Sequence, residues 1–404
     1  MRELPLETTD TRFHGAPVVV LGTGITALGV IRSLGRAGIT AYCLSADLKF
    51  VAHSRYCRAL SAVAPLRSLN QLEVALNKLP FNRAILIPCT DNWACQIALL
   101  DRQLAERYPS CLPSSKTLEC FTDKSSFYEL LDKLSLPHPA THTISSHDGL
   151  AVLDDSCFEC AFLKPRDSQR FFEHFWLKAF RVGSKSEALE SFDKIAAAGF
   201  EVVLQEYIPG PPTNHYFIDG FIDRHGNHCA TFARQRLRMY PEDFGNSTYM
   251  VSIPADQIGP AVENIKALLA AVSYRGIYSV EFKRDERDGV YRMLEVNCRP
   301  WWFIGFAASC GVNVCRMAYF DACHRPVAPV TRYLTGKYCV YPYYDANICY
   351  KLFRQGQLSL LEWIRSWAGT EQPVMCLDDP WPSIAWFAAA CMNKIRTSFG
   401  GDRL

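Results

Sequence analysis

Residues 276–300 read GIYSVEFKRDERDGVYRMLEVNCRP, and this stretch decides how the rest of the chain is interpreted. Two apolar runs rich in β-forming residues, IYSVEF and YRMLEV, flank a charged turn whose Asp-Gly step supplies the positive φ that a tight hairpin requires. The pattern therefore predicts a β-hairpin. Glu281 and Glu295 each stand inside an otherwise apolar strand. Asn297 shares the face of Glu295, because side chains alternate along a strand.

These three side chains predict a metal site. An unpaired carboxylate on a buried face costs free energy, so two carboxylates and an amide oxygen converging there call for a cation. Hard oxygen ligands with few carboxylates suit Mg²⁺, or Mn²⁺, shared with phosphate oxygens. The alternative is an exposed hairpin whose acids pair with Lys283 or Arg292. The sequence that follows, Asn-Cys-Arg-Pro, places Arg299 beside the predicted metal.

The hairpin and two upstream lysine motifs resemble the ATP-grasp superfamily. In that family a Glu on one strand and a Glu-x-Asn on the next hold magnesium against the phosphates of ATP, which matches Glu281, Glu295 and Asn297. The resemblance runs from about Val18 to Ala322 and is similar to the branch of D-aspartate ligase-like and predicted carboxylate-amine ligases. It implies an α/β and α+β fold, in which a Rossmann-like pre-ATP-grasp domain precedes a two-lobed ATP-grasp domain and a C-terminal extension.

We expect four parts along the chain. The predicted parts are residues 1–118 for the Rossmann-like domain, 119–202 for ATP-grasp lobe A, 203–325 for lobe B with the metal hairpin, and 326–404 for the C-terminal extension. A length of 404 residues agrees with about two to four domains.

The composition argues against several classes of protein. The formal net charge is +2 and no long Lys/Arg run exists, so we expect no nucleic-acid partner. The first 15 residues lack the apolar core of a signal peptide, and no window reaches the roughly 18 apolar residues of a membrane span. The 17 cysteines are scattered singly, which favours reduced thiols in a cytoplasmic protein. The Cys157-x-x-Cys160 pair lacks the second pair of a zinc site.

Residues 18–29, VVVLGTGITALG, predict a buried strand, a glycine turn and a helix, the start of a βαβ unit. One interpretation is a dinucleotide site with Gly22 and Gly24 under a pyrophosphate and Asp47 on a ribose. The spacing G-x-G-x-x-x-x-G departs from that fingerprint. The resemblance implies instead a nucleotide-free domain that lines the site of the second substrate, which we favour because other motifs already place the nucleotide.

Two short polar segments are further candidates for that site. Residues 90–92, Thr-Asp-Asn, follow an apolar strand, and the carboxyl ends of strands face the ligand crevice in open α/β sheets. Alternatively, Thr90 or Asp91 caps a helix predicted from Trp93 to Arg107. Residues 54–56, Ser-Arg-Tyr, match a step that the resemblance places in the wall of the acceptor pocket.

Two lysines are candidates for nucleotide binding. Lys124 stands in the first turn of a predicted helix, where the helix dipole disfavours a cation unless an anion is near. The resemblance implies that Lys124 reaches the α-phosphate of ATP. It also implies that Lys164, in the strand AFLKP, contacts phosphate and the adenine side of the pocket. The alternatives are a Lys124 paired with Asp123 and a Lys164 that protects an edge strand.

The loop that should cover the phosphates departs from the family. Residues 168–183 contain no glycine before Gly183, whereas many relatives have a glycine-rich flap. Arg170, Lys178 and Arg181 lie in this loop, so we expect cationic side chains rather than backbone N–H groups to contact ATP.

The segment VVLQEYIPG predicts a strand that runs into a turn. The resemblance implies that backbone groups around Gln205, Glu206 and Ile208 bind adenine, with a surface role as the alternative for Glu206. The acid that usually binds the ribose is absent, and we predict Asn214 in its place.

Arg234, Arg236 and Arg238 alternate along one predicted strand and should share a face. Like charges on one face repel unless solvent or an anion relieves them. A solvated edge is one interpretation. The other, which we favour, is that Arg236 and Arg238 hold the γ-phosphate or the substrate carboxylate.

The C-terminal extension has three notable features. Trp363 and Trp367 are four residues apart on an amphipathic helix and are expected to pack together. The motif from Asp378 to Pro382, DDPWP, resembles a tail motif of the same branch and has no evident chemical role. The apolar segment from Ser383 to Met392 is too short to span a bilayer and could pack on the body or lie in an interface.

Together the motifs predict an ATP-dependent carboxylate-amine ligase that works through an acyl phosphate and releases ADP. ATP with Mg²⁺ is the expected cofactor, and a small-molecule carboxylate and an amine are the expected substrates. Arg299, Arg236 and Arg238 are the predicted catalytic residues, since their charges would stabilise the acyl phosphate and its adduct. The alternatives are a non-catalytic or regulatory ATP-binding protein of the same fold and an NAD(P)-dependent oxidoreductase. A homodimer is a possible assembly.

Overall fold

Three β-sheets organise the computed structural model of the chain. The structure describes residues 15–45, 47–61, 68–166, 171, 174–242 and 245–389. Within these ranges, no helix combines the length and the apolar character that crossing a membrane requires.

The amino-terminal sheet is parallel throughout. Its strands are β1 (Val18–Leu21), β2 (Ala41–Ser45), β3 (Cys57–Ser61) and β4 (Ile85–Pro88). They lie in the order β3-β2-β1-β4. The helices of this region are α1 (Gly24–Gly35), α2 (Leu69–Asn77), α3 (Asp91–Ala98), α4 (Arg102–Arg107) and α5 (Ser115–Thr122).

Apolar residues on both faces of β1 explain why helices cover the sheet on both sides. Val18 and Val20 belong to the core cluster that includes the apolar residues of α1, whereas Val19 and Leu21 belong to the cluster of α2 and α3. Near-continuous apolar strands of this kind are typical of parallel sheets. Gly22, with φ of 128°, follows β1, and a Cβ there would lie 3.0 Å from that of Cys89.

The helix predicted from Trp93 to Arg107 is instead the two helices α3 and α4. The second helix begins because Asp101 caps it: Oδ1 accepts a hydrogen bond from the backbone N–H of Leu104 at 2.9 Å. Thr90, rather than Asp91, caps α3, with its Oγ1 3.3 Å from the backbone N of Trp93.

The central sheet has six strands, and all of its strand pairs are antiparallel. They are β9 (His215–Ile222), β10 (His228–Tyr240), β11 (Asn246–Ile253), β12 (Gly276–Arg284), β13 (Tyr291–Asn297) and β14 (Tyr338–Val340). Their order is β13-β12-β9-β10-β11-β14. Helix α6 (Lys124–Lys133) shares a core cluster with this sheet. The remaining helices around the sheet are α9 (Gly259–Ala271), α10 (Ile304–Ser309), α11 (Val314–Ala322), α12 (Pro342–Arg354) and α13 (Leu360–Trp367).

A small antiparallel sheet has its own apolar core. Its strands are β5 (Thr141–Ile144), β6 (Ala161–Pro165), β7 (Phe180–Val182) and β8 (Val202–Glu206), and its helices are α7 (His147–Ala151) and α8 (Lys185–Ala197). The strand order is β5-β8-β6-β7. Because β8 pairs with β5 and β6, the predicted division between residues 202 and 203 falls inside a strand of this sheet. Short 3₁₀ helices cover Lys49–His53, Asp155–Phe158, Pro212–Asn214 and Ala255–Ile258.

The C-terminal extension is not a separate piece in the described residues, because β14 pairs with β11 and adds a strand to the central sheet. Trp363 and Trp367 pack edge to face with ring centroids 5.9 Å apart, as the sequence predicts. The apolar segment at 383–392 begins within a helix at residues 381–389, and residues 390–392 lie outside the described residues.

The DDPWP motif has a structural role in holding the C-terminal segment against α1. Asp379 is fully buried, and its Oδ2 accepts hydrogen bonds from Arg32 Nε at 2.9 Å and from Ser54 Oγ at 2.6 Å. The backbone N–H of Arg55 donates to Asp379 Oδ1 at 2.8 Å. The DDPWP motif and the Ser-Arg-Tyr segment, which the sequence analysis treated separately, therefore contact each other.

That contact also corrects the predicted position of residues 54–56. They immediately precede β3, whose first residue, Cys57, pairs with Ala41 at the start of β2. The segment therefore lies at the amino ends of the parallel strands, the edge opposite Asp91. It is not part of a pocket at the carboxyl ends, where the resemblance had placed an acceptor site.

Candidate active site

The predicted hairpin is present as β12 and β13. Glu281 and Glu295 are direct partners in its register, and Asn297 pairs with Ser279. Directly opposed residues in an antiparallel pair place their Cβ atoms about 4.5–5.5 Å apart. The two carboxylates are therefore on one face and close together, as a shared cation requires.

Arg236 and His215 hold the carboxylate of Glu281. Its Oε1 lies 2.9 Å from a terminal nitrogen of Arg236 and 2.8 Å from Nδ1 of His215. Burial raises the pKa of Glu281, but the charge of Arg236 and the hydrogen bond from His215 outweigh it and hold the pKa well below its usual range. Glu281 is thus ionised and fixed in one orientation.

His215 is a site residue that sequence reasoning missed. Burial, and then the charge of Arg236, lower the pKa of His215 to about 4, although Glu281 opposes this. At neutral pH the ring is uncharged and donates its Nδ1 proton to Glu281. No sequence signal marks His215, because its position depends on the pairing of β9 with β12, where it lies opposite Lys283 on the strand that carries Glu281.

The low pKa of His215 predicts a pH dependence of stability. An unfolded histidine has a pKa of about 6.5, so the unfolded chain binds this proton more readily than the folded chain. The contribution of His215 is therefore complete above pH 6.5 and is lost as the pH falls toward 4. Relative to His215→Asn, the free energy of unfolding of the parent protein should fall by up to about 3 kcal/mol across this window. Urea unfolding at several pH values measures the difference, and parallel curves would contradict the assignment.

Glu295 is exposed and is not paired with the basic residues that the alternative interpretation proposed. Arg292 instead contacts Asp285 at 2.8 Å and Asp288 at 2.9 Å. Lys283 is buried, with Nζ 4.4 Å from the centroid of the Tyr207 ring. The interpretation in which Arg292 pairs with Glu281 or Glu295 is therefore wrong.

Hydrogen bonds join Glu295, Asn297 and Arg299. Asn297 Nδ2 donates to Glu295 Oε1 at 2.9 Å, and Arg299 donates to Asn297 Oδ1 at 2.8 Å. The guanidinium of Arg299 also contacts both carboxylate oxygens of Asp91, at 3.0 and 2.8 Å. Asp91, at the carboxyl end of β4, thus faces the metal hairpin, as its position after a strand predicted.

The donor set fits a hard cation that takes part of its coordination from a ligand. Within the described residues, no group of three or more His, Cys, Asp and Glu could hold a metal on its own. Glu281, Glu295 and the amide oxygen of Asn297 supply few oxygens, and Mg²⁺ commonly completes such sets with phosphate oxygens and water.

Two lysines, Lys164 and Lys178, interact electrostatically with the two acids, and Lys124 interacts with Lys164. Lys164 Nζ donates to Gln205 Oε1 at 2.7 Å. Burial, and then the charge of Lys124, lower the pKa of Lys164 to about 8 against the effect of Glu295 and Glu281. Lys178 also interacts electrostatically with both acids, and its Nζ donates to Asn246 Oδ1 at 3.0 Å. Clustered cations beside two acids favour a polyanionic ligand.

Lys124 is the first residue of α6. Asp123 caps the helix, with Oδ1 2.9 Å from the backbone N of Ser126, and its Oδ2 accepts from Arg166 Nε at 2.8 Å. In the flap, Arg181 lies over the Tyr207 ring, with Cζ 5.3 Å from its centroid. Arg170 lies outside the described residues.

The predicted adenine segment follows the small sheet. Gln205 is fully buried, and Nε2 donates to Thr141 Oγ1 at 2.9 Å. Glu206 accepts from the backbone N–H of Ala140 at 3.1 Å and from Arg287 at 2.5 Å, so it joins the small sheet to the hairpin turn. Ile208 is buried.

Asn214, the predicted ribose contact, lies in the 3₁₀ turn of residues 212–214. Its backbone N–H donates to the carbonyl of Pro211 at 2.9 Å. Its side chain packs against Gly210, where an added Cβ would lie 2.3 Å from Asn214 Nδ2.

The three arginines of β10, which were predicted to share one face, have separate carboxylate partners. Arg234 donates to the fully buried Asp219 at 2.7 Å, and Arg236 contacts Glu281. Arg238 donates to both oxygens of Asp345 on α12, at 3.0 and 2.7 Å. The register of β10 shifts between Arg236 and Arg238, so the alternation that the sequence suggests is broken there. Arg236 contacts the β12–β13 hairpin through Glu281, whereas Arg238 contacts the C-terminal segment through Asp345.

No protein-family model matches the chain. The chain is 24% identical to D-aspartate ligase of Enterococcus faecium (strain Aus0004) over 323 residues, which cover 75% of this chain and 76% of that protein. The sequence resemblance to that branch is therefore confirmed.

Solved structures share the architecture. L-amino acid ligase from Bacillus licheniformis has a TM-score of 0.57 at 14% identity, with 76% of this chain and 74% of that chain covered. The biotin carboxylase domain of Hydrogenobacter thermophilus 2-oxoglutarate carboxylase, in complex with MgADP, ADP and bicarbonate, has a TM-score of 0.62 at 15% identity, with 80% and 73% covered. The chain has the ATP-grasp fold.

The ATP-grasp fold accounts for most of the chain, and the expected mixed α/β architecture is confirmed at that level. It brings the β12–β13 hairpin, Lys164 and Arg236 into one region, although they come from two different sheets.

Proposed function

We propose that the chain is an ATP-dependent ligase that joins a small-molecule carboxylate, such as an amino acid, to an amine through an acyl phosphate. The observation that carries the proposal is the pair Glu281 and Glu295, opposed across β12 and β13 within the electrostatic range of Lys164. The similarity to D-aspartate ligase and the fold shared with L-amino acid ligase support ligation as the reaction class.

ATP with Mg²⁺, or Mn²⁺, is the cofactor that these residues fit. Glu281, Glu295 and Asn297 would hold the cation, which supplies neutralisation of the charge that develops on the phosphates. The solved neighbour with MgADP supports this choice. The proposed nucleotide contacts are those predicted from the sequence, Lys124, Lys164 and Lys178 for the phosphates, Gln205, Glu206 and Ile208 for adenine, and Asn214 for the ribose.

A carboxylate is a poor electrophile, so formation of an amide requires that one of its oxygens first become part of a leaving group. A carboxylate oxygen of the acid attacks the γ-phosphorus of ATP and ADP leaves. The amine nitrogen then attacks the carbonyl carbon, loses a proton, and inorganic phosphate leaves. Arg299 and Arg236 would stabilise the negative charge of these two steps. Arg238, predicted as a third catalytic arginine, contacts Asp345 and receives no direct role here.

We also propose how the chain is divided into domains. The parallel order β3-β2-β1-β4 supports a Rossmann-like leader over residues 1–118, and the two antiparallel sheets support two ATP-grasp lobes. The division between the lobes is placed after Glu206, since β8 belongs to the small sheet. A cytoplasmic location and a homodimer remain part of the proposal, and the scattered free cysteines of the described residues agree with the first.

Lys164→Met should raise the KM for ATP by roughly 10–100-fold, since a charged hydrogen bond contributes about 1.5–3 kcal/mol. Because the pKa of Lys164 is about 8, the parent protein should also lose ATP affinity as the pH rises above 8, while the variant should not. Steady-state KM values from pH 7 upward measure both effects. Lys185→Met is the matched control, because Lys185 pairs with Asp155 at 3.1 Å, away from the metal hairpin. Equal KM values for the two variants would contradict the role of Lys164.

The decisive experiment measures ADP with panels of amino acids as acids and amines. A ligase releases ADP and forms a condensed product only when both substrates are present. ADP release without product, or nucleotide binding without turnover, would favour the non-catalytic alternative. A change in NAD(P)H absorbance would favour the oxidoreductase.

A further inference from the structure

A continuous series of hydrogen bonds crosses from the amino-terminal sheet to the metal hairpin. Both oxygens of Asp91 accept from Arg299, at 3.0 and 2.8 Å. Arg299 donates to Asn297 Oδ1 at 2.8 Å, and Asn297 Nδ2 donates to Glu295 Oε1 at 2.9 Å. The series joins residues that are 208 positions apart in the chain.

Within this series of hydrogen bonds, Asp91 contacts only Arg299. It is the first residue of α3, but Thr90 provides the cap of that helix, so the carboxylate of Asp91 is free to turn toward Arg299. A carboxylate that accepts from two nitrogens of one guanidinium fixes the plane of the group as well as its position.

The orientation of the Arg299 guanidinium determines whether it can donate a hydrogen bond to Asn297 of the hairpin. Arg299 uses one terminal nitrogen for both Asp91 and Asn297, at 2.8 Å each, and its other terminal nitrogen donates to the carbonyl of Pro300 at 3.0 Å. If Asp91 is lost, this shared nitrogen can rotate away from the amide oxygen of Asn297. The amide oxygen that we assign to the cation then loses the donor that orients it.

We propose that Asp91 is a positioning residue of the metal site, which it reaches through Arg299 and Asn297. The inference rests on the proposed function and deepens it, since it makes the amino-terminal sheet a necessary part of the active site. Residues that orient metal ligands typically change metal affinity or activity by 10–100-fold when they are replaced.

The test compares Asp91→Asn with Asp101→Asn. Both residues lie at the first turn of neighbouring helices, but Asp101 caps α4 and does not contact Arg299. Titration with Mn²⁺ in the presence of ADP, followed by paramagnetic resonance, should show affinity about tenfold weaker for Asp91→Asn and unchanged for Asp101→Asn. Binding of ADP without metal should be equal in both. Asp91→Glu should recover part of the Mn²⁺ affinity, because it restores the carboxylate.

Steady-state kinetics provide a second, independent test of the role of Asp91. With any acid and amine that the parent protein joins, Asp91→Asn should lower kcat by about 10–100-fold with little change in the KM for the amine. Mn²⁺ affinity equal to that of the parent protein would overturn the inference, as would a loss confined to the KM of the amine, which would make Asp91 a substrate contact. Failure of the proposed function is distinguishable, because the parent protein would then form no product while the Mn²⁺ titration still reports on Asp91.

Discussion

Glu295→Gln is expected to lower the rate of ADP formation by about 10²–10³-fold, the range seen when one electrostatic contributor to a transition state is removed. The substitution keeps the size of the side chain and its contact with Asn297, but it removes the charge that the cation requires. Glu295 is exposed, so the fold should be retained. ADP release under saturating substrates gives the rate, and a melting curve tests the fold.

Glu286→Gln is the matched control, since Glu286 is an exposed acid in the turn of the same hairpin. Its rate should equal that of the parent protein. If Glu295→Gln formed ADP at the rate of the parent protein, the hairpin would not be a metal site. The proposed ligase would then lack the cation on which its reaction depends.

Asp379→Ala is expected to lower the free energy of unfolding by about 3–5 kcal/mol, because it leaves the Arg32 guanidinium buried without its carboxylate partner. Arg32 is only 4% exposed and Asp379 is fully buried. The loss also removes the acceptor for Ser54 Oγ and for the backbone N–H of Arg55. Urea unfolding followed by tryptophan fluorescence measures the change.

The neighbouring residue provides the comparison. Asp378 pairs with Arg36 at 2.7 Å, and both side chains are about 40% exposed. Exposed ion pairs contribute less than about 1 kcal/mol, so Asp378→Ala should have a small effect. If Asp378→Ala and Asp379→Ala lowered the free energy of unfolding equally, burial of the Arg32–Asp379 pair would not be what stabilises the contact.

The sequence was sufficient for features that depend on local pattern. The alternation of apolar residues and the Asp-Gly turn predicted the hairpin, and Glu281 and Glu295 are opposed in it. Lys164 was predicted from its resemblance to a nucleotide-binding lysine of the ATP-grasp superfamily, and burial, followed by the charge of Lys124, lowers its pKa to about 8. The hairpin follows from side-chain periodicity within a few residues, whereas the choice of Lys164 depends on the resemblance.

Features that depend on distant contacts were not predictable in this way. Arg238 follows the alternation of β10 in the sequence, but a register shift and the buried Asp345, 107 residues away, turn it toward α12. His215 carries no motif, and its role depends on Glu281, 66 residues later. The DDPWP motif had no evident role in the sequence, and its contact with the Ser-Arg-Tyr segment is formed only in the fold.

The contact between Arg32 and Asp379 has a consequence for biosynthesis. The two residues are 347 positions apart, and a ribosome releases Arg32 long before it has translated Asp379. Until Asp379 is made, the Arg32 guanidinium in the last turn of α1 has no carboxylate partner. We expect the amino-terminal sheet to reach its final packing only after Asp379 has emerged from the ribosome, which differs from the usual order in which early domains fold first.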